Sequence, residues 1–259
     1  MPNIVHIDDA ADARLDLYRD VKDRDLSGRD GLFMGEGKVV LERMFGSNLC
    51  VIMNVLTTQK RLESLDTSAL TDDVPIYVVA QETMDAVAGF AIHRGYLALG
   101  RYAPPRNLTQ VLTGVSRLRL VCLSAIANVD NMGGLMRNAA AFGVDAVLID
   151  EACCDPMYRK AIRVSVGGVF QVPHYRVSDL IGALKTYNVA PYALSPSGQI
   201  TLDALKPAHR SAFLFGAEGP GLTPEVMAQC TTVRIDMSGG FDSLNVATTS
   251  GIVLYAACR

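Results

Sequence analysis

The chain has 259 residues, of which 49% are hydrophobic, and its formal net charge is −3 at pH 7. This length predicts one large or two modest domains. The acidic balance argues against strong non-specific binding to nucleic acid, and no apolar run reaches the roughly 18 residues of a membrane span. The N-terminal stretch MPNIVHIDDAADARLD lacks the apolar core of a signal peptide, so we expect a cytoplasmic protein. Six cysteines without a CxxC pair and four histidines without ligand spacing predict reduced thiols and no metal.

The first hundred residues predict a small α/β domain. A charged helix is expected from Asp12 to Lys22, followed by a helix in KVVLERMF that ends at Gly46. The segments CVIMNVLT and PIYVVA read as strands, and helices are expected near residues 59–65 and 81–88, the latter stopping at Gly89. Residues 89–102 are expected to return as a strand or hairpin, which closes the domain.

A proline pair marks the predicted interdomain linker at residues 101–116. Five arginines and no acid occur between Arg94 and Arg119. The stretch is either a solvated linker or a stripe that follows a phosphate backbone, and the sequence favours neither.

Residues 117–259 alternate strands and helices. Strands are predicted in LVCLSAI, DAVLID, FQVP, PYALSP, SAFLF and TVRIDM, and helices in GGLMRNAAAF, from about Pro156, from a cap at Ser178 to a stop at Asn188, and at the C-terminus. The near-continuous apolar strand LVCLSAI is typical of a parallel sheet. The pattern therefore predicts an α/β fold with a mainly parallel sheet and helices on both faces.

Two glycine-rich loops follow the last two predicted strands. One contains Gly216, Gly219 and Gly221 around Glu218, and the other runs from Gly239 to Asn245. Exposed backbone in such loops can hydrogen-bond a flat polar ligand, and ligands of open α/β sheets lie at the carboxyl ends of strands. We therefore expect a binding site at this edge.

Three stretches, NVDNMGGLMRNAAAFG, FGAEGPGL and DSLNVATTSGIVLY, resemble the three motifs of the SpoU family of RNA ribose 2′-O-methyltransferases, in the family's order. The resemblance implies a catalytic domain at 117–259 with a deep C-terminal trefoil knot, S-adenosylmethionine as cofactor, ribosomal or transfer RNA as substrate, and a homodimer. More loosely, GEGKVVLERM and HRGYLALG resemble the small RNA-selecting domain of family members, which implies that role for residues 1–100. Val129 departs from the family, in which many members have proline at that position.

The resemblance also implies the site residues. The catalytic set is Asn131, Arg137, Glu218, Ser243 and Asn245. The cofactor set is Leu214, Gly216, Gly219, Ile235, Met237, Leu244, Asn245 and Ala247. The RNA-binding set is Arg94, Arg137, Arg159, Lys160, Arg163 and Ser165.

Simpler interpretations of these residues stay open. Arg137 and the basic residues from Arg159 to Arg163 could be ordinary surface charges, Glu218 a solvated loop acid, and Asn245 a helix cap. Because a guanidinium stays protonated, we expect Arg137 to clamp a phosphate or stabilise a developing alkoxide rather than act as a base. An RNA-binding or assembly factor without turnover is the alternative function. A dinucleotide-dependent oxidoreductase is disfavoured because its glycine fingerprint is missing.

Overall fold

The computed structural model describes residues 3–19, 31–88, 95–239 and 243–258. The chain forms two compact units. The first comprises Met1–Pro105 and Met157–Gln171, and the second comprises Arg106–Pro156 and Val172–Arg259. The segment 157–171, which the sequence placed in the catalytic domain, therefore packs with the first unit.

The described residues form twelve strands and nine α-helices. The strands are β1 (Asn3–His6), β2 (Leu32–Glu36), β3 (Cys50–Thr57), β4 (Pro75–Val78), β5 (Tyr96–Tyr102), β6 (Leu118–Leu123), β7 (Ala146–Ile149), β8 (His174–Arg176), β9 (Ala190–Leu194), β10 (Ile200–Thr201), β11 (Arg210–Phe215) and β12 (Thr231–Arg234). The helices are α1 (Lys38–Phe45), α2 (Gln59–Leu62), α3 (Gln81–Ala88), α4 (Leu108–Leu112), α5 (Val129–Ala141), α6 (Arg159–Val164), α7 (Leu180–Thr186), α8 (Pro224–Met227) and α9 (Val246–Ala257).

The first unit contains a five-stranded sheet in the order β1-β4-β3-β5-β2. Strand β5 runs antiparallel to both of its neighbours, and the other pairs are parallel. The core beneath this sheet includes Leu56, Met84 and Leu99, which are fully buried. The predicted α/β character of this region is confirmed.

The second unit contains a seven-stranded sheet in the order β10-β12-β9-β11-β6-β7-β8, in which every neighbouring pair is parallel. The central strands β6 and β11 are almost wholly buried, as expected for parallel strands without a solvent face. The predicted α/β fold with a mainly parallel sheet is confirmed.

Several local predictions were wrong. The segment FQVP is not a strand: a 3-10 turn occupies Gly168–Phe170, and β8 begins at His174. The cap of α7 is Asp179, whose carboxylate accepts from the Gly182 amide, and not Ser178.

Two other local predictions were correct only in part. The expected helix from Asp12 is a 3-10 helix at Ala13–Tyr18, and residues 20–30, like 89–94, lie outside the described residues. The predicted linker 101–116 contains α4, which is closed at its start by a reciprocal capping box between Asn107 and Gln110. None of the described helices is long and apolar enough to cross a membrane.

The strand order creates a crevice at one edge of the second sheet. Strands β6 and β11 pair in register from Leu118 with Arg210 to Leu123 with Phe215. After β6 the chain continues to β7 on one side, and after β11 it continues to β12 on the other side. Loops that diverge from neighbouring parallel strands leave a ligand crevice between their carboxyl ends.

Candidate active site

The loop after β11 is a tight turn that requires glycine. The Gly221 amide donates to the Ala217 carbonyl at 3.0 Å and closes the turn. A Cβ at Gly216 would lie 2.3 Å from the Gly221 carbonyl carbon and 2.4 Å from the Leu222 nitrogen. Gly219 and Gly221 have φ angles of +86° and +69°, which favour glycine. The glycine spacing is thus a backbone requirement, and the turn presents Glu218 at the surface.

Asparagine side chains cap the two helices that begin at this edge. The Asn128 Oδ1 accepts from the amides of Asp130 and Asn131 at 2.8 and 3.2 Å, at the start of α5. The Asn245 Oδ1 accepts from the amides of Ala247 and Thr248 at 2.9 and 3.2 Å, at the start of α9. The interpretation of Asn245 as a helix cap is therefore confirmed, and its amide nitrogen points elsewhere.

That nitrogen completes a three-residue polar network. The Asn245 Nδ2 donates to Asn131 Oδ1 at 2.8 Å and to Glu218 Oε1 at 3.3 Å. The Asn131 Nδ2 donates to the same Glu218 oxygen. Asn131 is only 6% exposed, so its amide is fixed within the protein. Three of the five predicted catalytic residues, each from a different motif, therefore meet in one hydrogen-bonded cluster.

Contacts between α5 and α9 fix the register of this network. The Asn138 Nδ2 donates to the Ala247 carbonyl at 2.7 Å and to the Ser250 hydroxyl at 2.8 Å. A Cβ on Gly134 would lie 2.7 Å from the Ala247 Cβ. Asn131, Gly134 and Asn138 follow helical spacing, so one face of α5 both packs on α9 and carries the network. Asn138 was not among the site residues predicted from the sequence.

A cavity of about 360 Å³ lies beside the network. The ends of β9, β11 and β12 and the residues from Ser243 to Thr249 contribute its described walls. Phe215, Val233, Ile235 and Leu244 supply apolar surface, whereas Ser195, Glu218 and Asn245 supply polar groups. An apolar cavity with a few polar groups fits a nucleoside joined to a charged tail. The cavity thus suits S-adenosylmethionine, whose adenosine is flat and whose sulfonium is cationic.

The profile of the SpoU rRNA methylase family matches residues 119–255 of this chain. The chain belongs to the SpoU rRNA methylase family. A tRNA/rRNA methyltransferase of Mycobacterium bovis, itself described as uncharacterized, is 36% identical over 97% of this chain and 90% of its own length. The 23S rRNA (guanosine-2′-O-)-methyltransferase of Acinetobacter baylyi is 29% identical over 77% of this chain and 84% of its own length.

Solved structures share the fold. The S-adenosylmethionine-bound rRNA methyltransferase of Sinorhizobium meliloti superposes with a TM-score of 0.82 at 19% identity, over 98% of this chain and 97% of its own. The SpoU methyltransferase AviRb of Streptomyces viridochromogenes, solved with the same cofactor, gives 0.76 at 21% identity, over 96% and 97%. The predicted family, the class of enzyme as an RNA methyltransferase and the cofactor S-adenosylmethionine are confirmed.

The two remaining members of the predicted catalytic set lie outside the network. Arg137 is exposed on α5, and no hydrogen bond or ion pair joins it to another described residue. None of its five guanidinium donors is therefore taken up by a described residue. Ser243 lies at the cavity wall and is exposed.

Most of the predicted cofactor set lines the cavity. Those that do are Gly216, Gly219, Ile235, Met237, Leu244 and Asn245. Leu214 does not, because it is fully buried in the core of the sheet. Ala247 instead contacts α5 through its carbonyl.

The end of β9 contributes a wall of the cavity that was not predicted from the sequence. Leu194, Ser195 and Pro196 line the cavity. Their strand lies beside both β11 and β12, so its carboxyl end falls at the same edge. The sequence predicted PYALSP as a strand. It did not predict which strands lie beside this one, and therefore not that its end reaches the cavity.

Asp150 holds the loop between β6 and α5. Its carboxylate accepts from the Ser124 hydroxyl at 2.7 Å and from the amides of Ala125 and Cys153 at 3.1 Å. Desolvation by itself would raise the pKa of Asp150, but these hydrogen bonds outweigh it and lower the pKa below its ordinary value. Ala125 has a φ of +54°, a strained conformation that the carboxylate stabilises. This residue was also missed.

The predicted RNA-binding residues do not all belong to the unit that contains this site. Arg159, Lys160, Arg163 and Ser165 belong to the first unit, and Arg94 lies outside the described residues. Ser165 is fully buried, and its hydroxyl donates to the Ile162 carbonyl at 2.8 Å. We therefore do not propose Ser165 as an RNA contact.

Proposed function

We propose that this chain transfers a methyl group to a ribose 2′-hydroxyl of ribosomal or transfer RNA. Family membership supports the methylation of RNA, and the name of the A. baylyi relative supports the 2′-hydroxyl as the acceptor. The observation that carries the proposal is the network of Asn131, Glu218 and Asn245 at the edge of a cavity that fits the cofactor.

The cavity residues would hold the cofactor. Backbone groups at Gly216, Ile235 and Leu244 would bind the adenosine, and Met237 would add an apolar wall. When bound, S-adenosylmethionine supplies a methyl group that its sulfonium has already made electrophilic. The protein must therefore align the acceptor hydroxyl and assist the departure of its proton.

Glu218 is the residue best placed to orient the acceptor. Both amide donors of the network bind its Oε1. Its Oε2 receives no hydrogen bond from the described residues, so that oxygen can accept from a substrate hydroxyl or from a guanidinium. The network thus holds the carboxylate in one orientation before the substrate arrives.

Arg137 supplies the positive charge. A guanidinium does not act as a base at ordinary pH. We propose that it binds a phosphate of the RNA next to the acceptor nucleotide, or stabilises the alkoxide as the methyl group is transferred. Its exposure, and the absence of a hydrogen bond from its guanidinium to any described residue, support either role.

The finer features of the family are also proposals for this chain. We propose a trefoil knot in the second unit, a homodimer, a location in the cytoplasm, and an RNA-selecting role for the first unit. Ile252 and Tyr255 on α9 are 39% and 52% exposed, which supports α9 as part of a dimer contact. Light scattering at micromolar concentration would show a dimer, and a monomer would contradict this proposal.

The test is transfer of labelled methyl from S-adenosylmethionine to total RNA from a strain that lacks this protein. Ribosomal and transfer RNA fractions are separated and digested to nucleosides. We expect label in a 2′-O-methylnucleoside for the wild type and the Glu225→Gln control, and its loss in Glu218→Gln. Glu225 is an exposed glutamate on α8 outside the cavity wall. Cofactor binding without transfer to any RNA would instead support a binding or assembly factor.

A further inference from the structure

The loop that joins β9 to β10, residues 195–199, contributes one wall of the cavity beside the polar network. Ser195 and Pro196 at the start of this β9–β10 loop line the cavity, as does Leu194 at the end of β9. The shape of the cavity therefore depends on where the loop is held, and so does its affinity for a ligand.

The backbone of β12 holds part of the β9–β10 loop. The Ser195 amide donates to the Val233 carbonyl at 3.0 Å, and the Gly198 amide donates to the Ser195 carbonyl at the same distance. A Cβ on Gly198 would lie 2.4 Å from the Val233 carbonyl carbon and 2.5 Å from the Arg234 nitrogen. The loop thus lies directly against the strand, and a larger residue at 198 would force the two backbones apart.

The side chain of Arg234 holds the rest of the loop. Its Nη1 donates to the carbonyls of Gly198 and Gln199 at 2.9 and 3.2 Å. Its Nε donates to Asp236 Oδ1 at 2.8 Å, and this bond orients the planar guanidinium. Hydrogen bonds from a charged donor are stronger than neutral ones. Arg234 therefore ties two consecutive residues of the loop to β12.

Arg234 lies behind the cavity wall rather than in it. Val233, Ile235 and Met237 line the cavity, whereas Arg234 and Asp236 are not among the described residues that do so. Because successive side chains of a strand point to opposite faces, the side chain of Arg234 projects away from that of Val233. An effect of Arg234 on ligand binding would therefore act through the loop that it holds.

We propose that Arg234 is a positioning residue for S-adenosylmethionine, because it holds the β9–β10 loop where Ser195 and Pro196 complete the cavity. This role rests on the proposed function, which places the cofactor in this cavity. A site that is correctly formed for only a fraction of the time has its affinity reduced by that fraction. Loss of Arg234 should therefore weaken cofactor binding and leave the chemical step unchanged once the cofactor is saturating.

The test compares Arg234→Gln with the control Arg210→Gln in the full chain. Arg210 also donates to backbone carbonyls, those of Leu112, Val115 and Tyr187, but it lies at the start of β11, whereas the cavity lies at the end of that strand. Both variants should lower the melting temperature. Only Arg234→Gln should raise the Kd of S-adenosylmethionine in calorimetric titration, by about 5- to 10-fold, and its KM in methyl transfer by the same factor.

Two further variants separate the contacts that hold the loop. The Thr232 Oγ1 accepts from the Gln199 amide at 3.1 Å, so Thr232→Val removes a different contact of the same loop and should weaken cofactor binding by a smaller factor. Arg234→Lys keeps a charged donor for the carbonyls of Gly198 and Gln199. It should therefore recover part of the affinity that the glutamine variant loses.

A Kd in Arg234→Gln equal to that of the wild type would overturn the proposal. So would an equal loss of cofactor affinity in Arg210→Gln, because reduced stability would then explain both variants. A fall in kcat at saturating cofactor with an unchanged KM would also overturn it, because Arg234 would then act on the chemical step. Wild-type methyl transfer with wild-type cofactor affinity in Arg234→Gln refutes this role alone. Weakened cofactor binding in a chain that methylates no RNA supports this role and refutes the proposed function alone.

Discussion

The substitution Asn245→Asp separates two functions that one side chain performs. The Asn245 Oδ1 caps α9 by accepting from the amides of Ala247 and Thr248, and a carboxylate performs that role as well as an amide does. The Nδ2 donates to Asn131 and Glu218, and a carboxylate has no donor to replace it. The variant therefore keeps the helix start and breaks the active-site network.

The electrostatic repulsion that Asn245→Asp introduces can be calculated from the distances. The substitution places a carboxylate oxygen about where Nδ2 lies, 3.3 Å from Glu218 Oε1 and 2.8 Å from Asn131 Oδ1. Two like charges about 4 Å apart repel by about 1 kcal/mol in water and about 4 kcal/mol at an effective dielectric constant of 20. Because Glu218 and Asn245 are both exposed, the repulsion should lie closer to about 1 kcal/mol than to about 4 kcal/mol. Displacement of Glu218 should lower turnover about 10²-fold, comparable to the loss of one preorganised polar contact.

The assay compares Asn245→Asp with Asn245→Ala in thermal melting and in methyl transfer. We expect both to lose turnover, and only the alanine variant to lose about 1 kcal/mol of stability with the cap. Activity of the aspartate variant relative to wild type should recover partly as pH falls, since protonation of the introduced carboxyl restores a donor. Wild-type turnover in the aspartate variant, or equal destabilisation of both variants, would refute the reasoning.

Four further substitutions test the site. Arg137→Lys should lose most turnover while cofactor binding persists, because an ammonium cannot reproduce bidentate guanidinium geometry. Gly216→Ala should weaken cofactor binding and lower the melting temperature, since its Cβ would lie 2.3 Å from the Gly221 carbonyl carbon. Asn138→Ala should destabilise by about 1 kcal/mol, because the Ala247 carbonyl and the Ser250 hydroxyl keep their bond to each other but lose the Asn138 amide as a donor. Asp150→Asn should destabilise at neutral pH by about 1–3 kcal/mol, and this difference should shrink as pH falls below the ordinary aspartate value of about 3.9.

The sign of that last effect follows from the pKa. The pKa of Asp150 is lowered in the folded state, so its ionised form stabilises the fold above the unfolded pKa and this contribution is lost as pH falls through the folded pKa. A stability difference between wild type and Asp150→Asn that grows toward acid would contradict this. Near-normal turnover in Arg137→Lys, or unchanged cofactor affinity in Gly216→Ala, would likewise count against the roles given to those residues.

The sequence by itself predicted the fold class and several of the residues that line the cavity. Near-continuous apolar runs such as that of β6 predict buried parallel strands wherever they pack, because such a run has no face for water. The glycines at 216, 219 and 221 and the three family motifs could also be recognised in the sequence. Each depends only on the local backbone or on a short segment. The predicted cap at Asn245 is likewise a local property, and the structure confirms it.

Only the tertiary structure decided which residues meet. Asn131, Glu218 and Asn245 are separated by up to 114 positions, and their convergence depends on the strand order that places β6 beside β11. The same order brings the end of β9 to the cavity, and the packing of α5 on α9 gives Asn138 its role. Residues 157–171 pack with the first unit, although their position in the chain had placed them in the catalytic domain. Contacts between distant segments depend on the packing of whole elements, and no local pattern of residues encodes that packing.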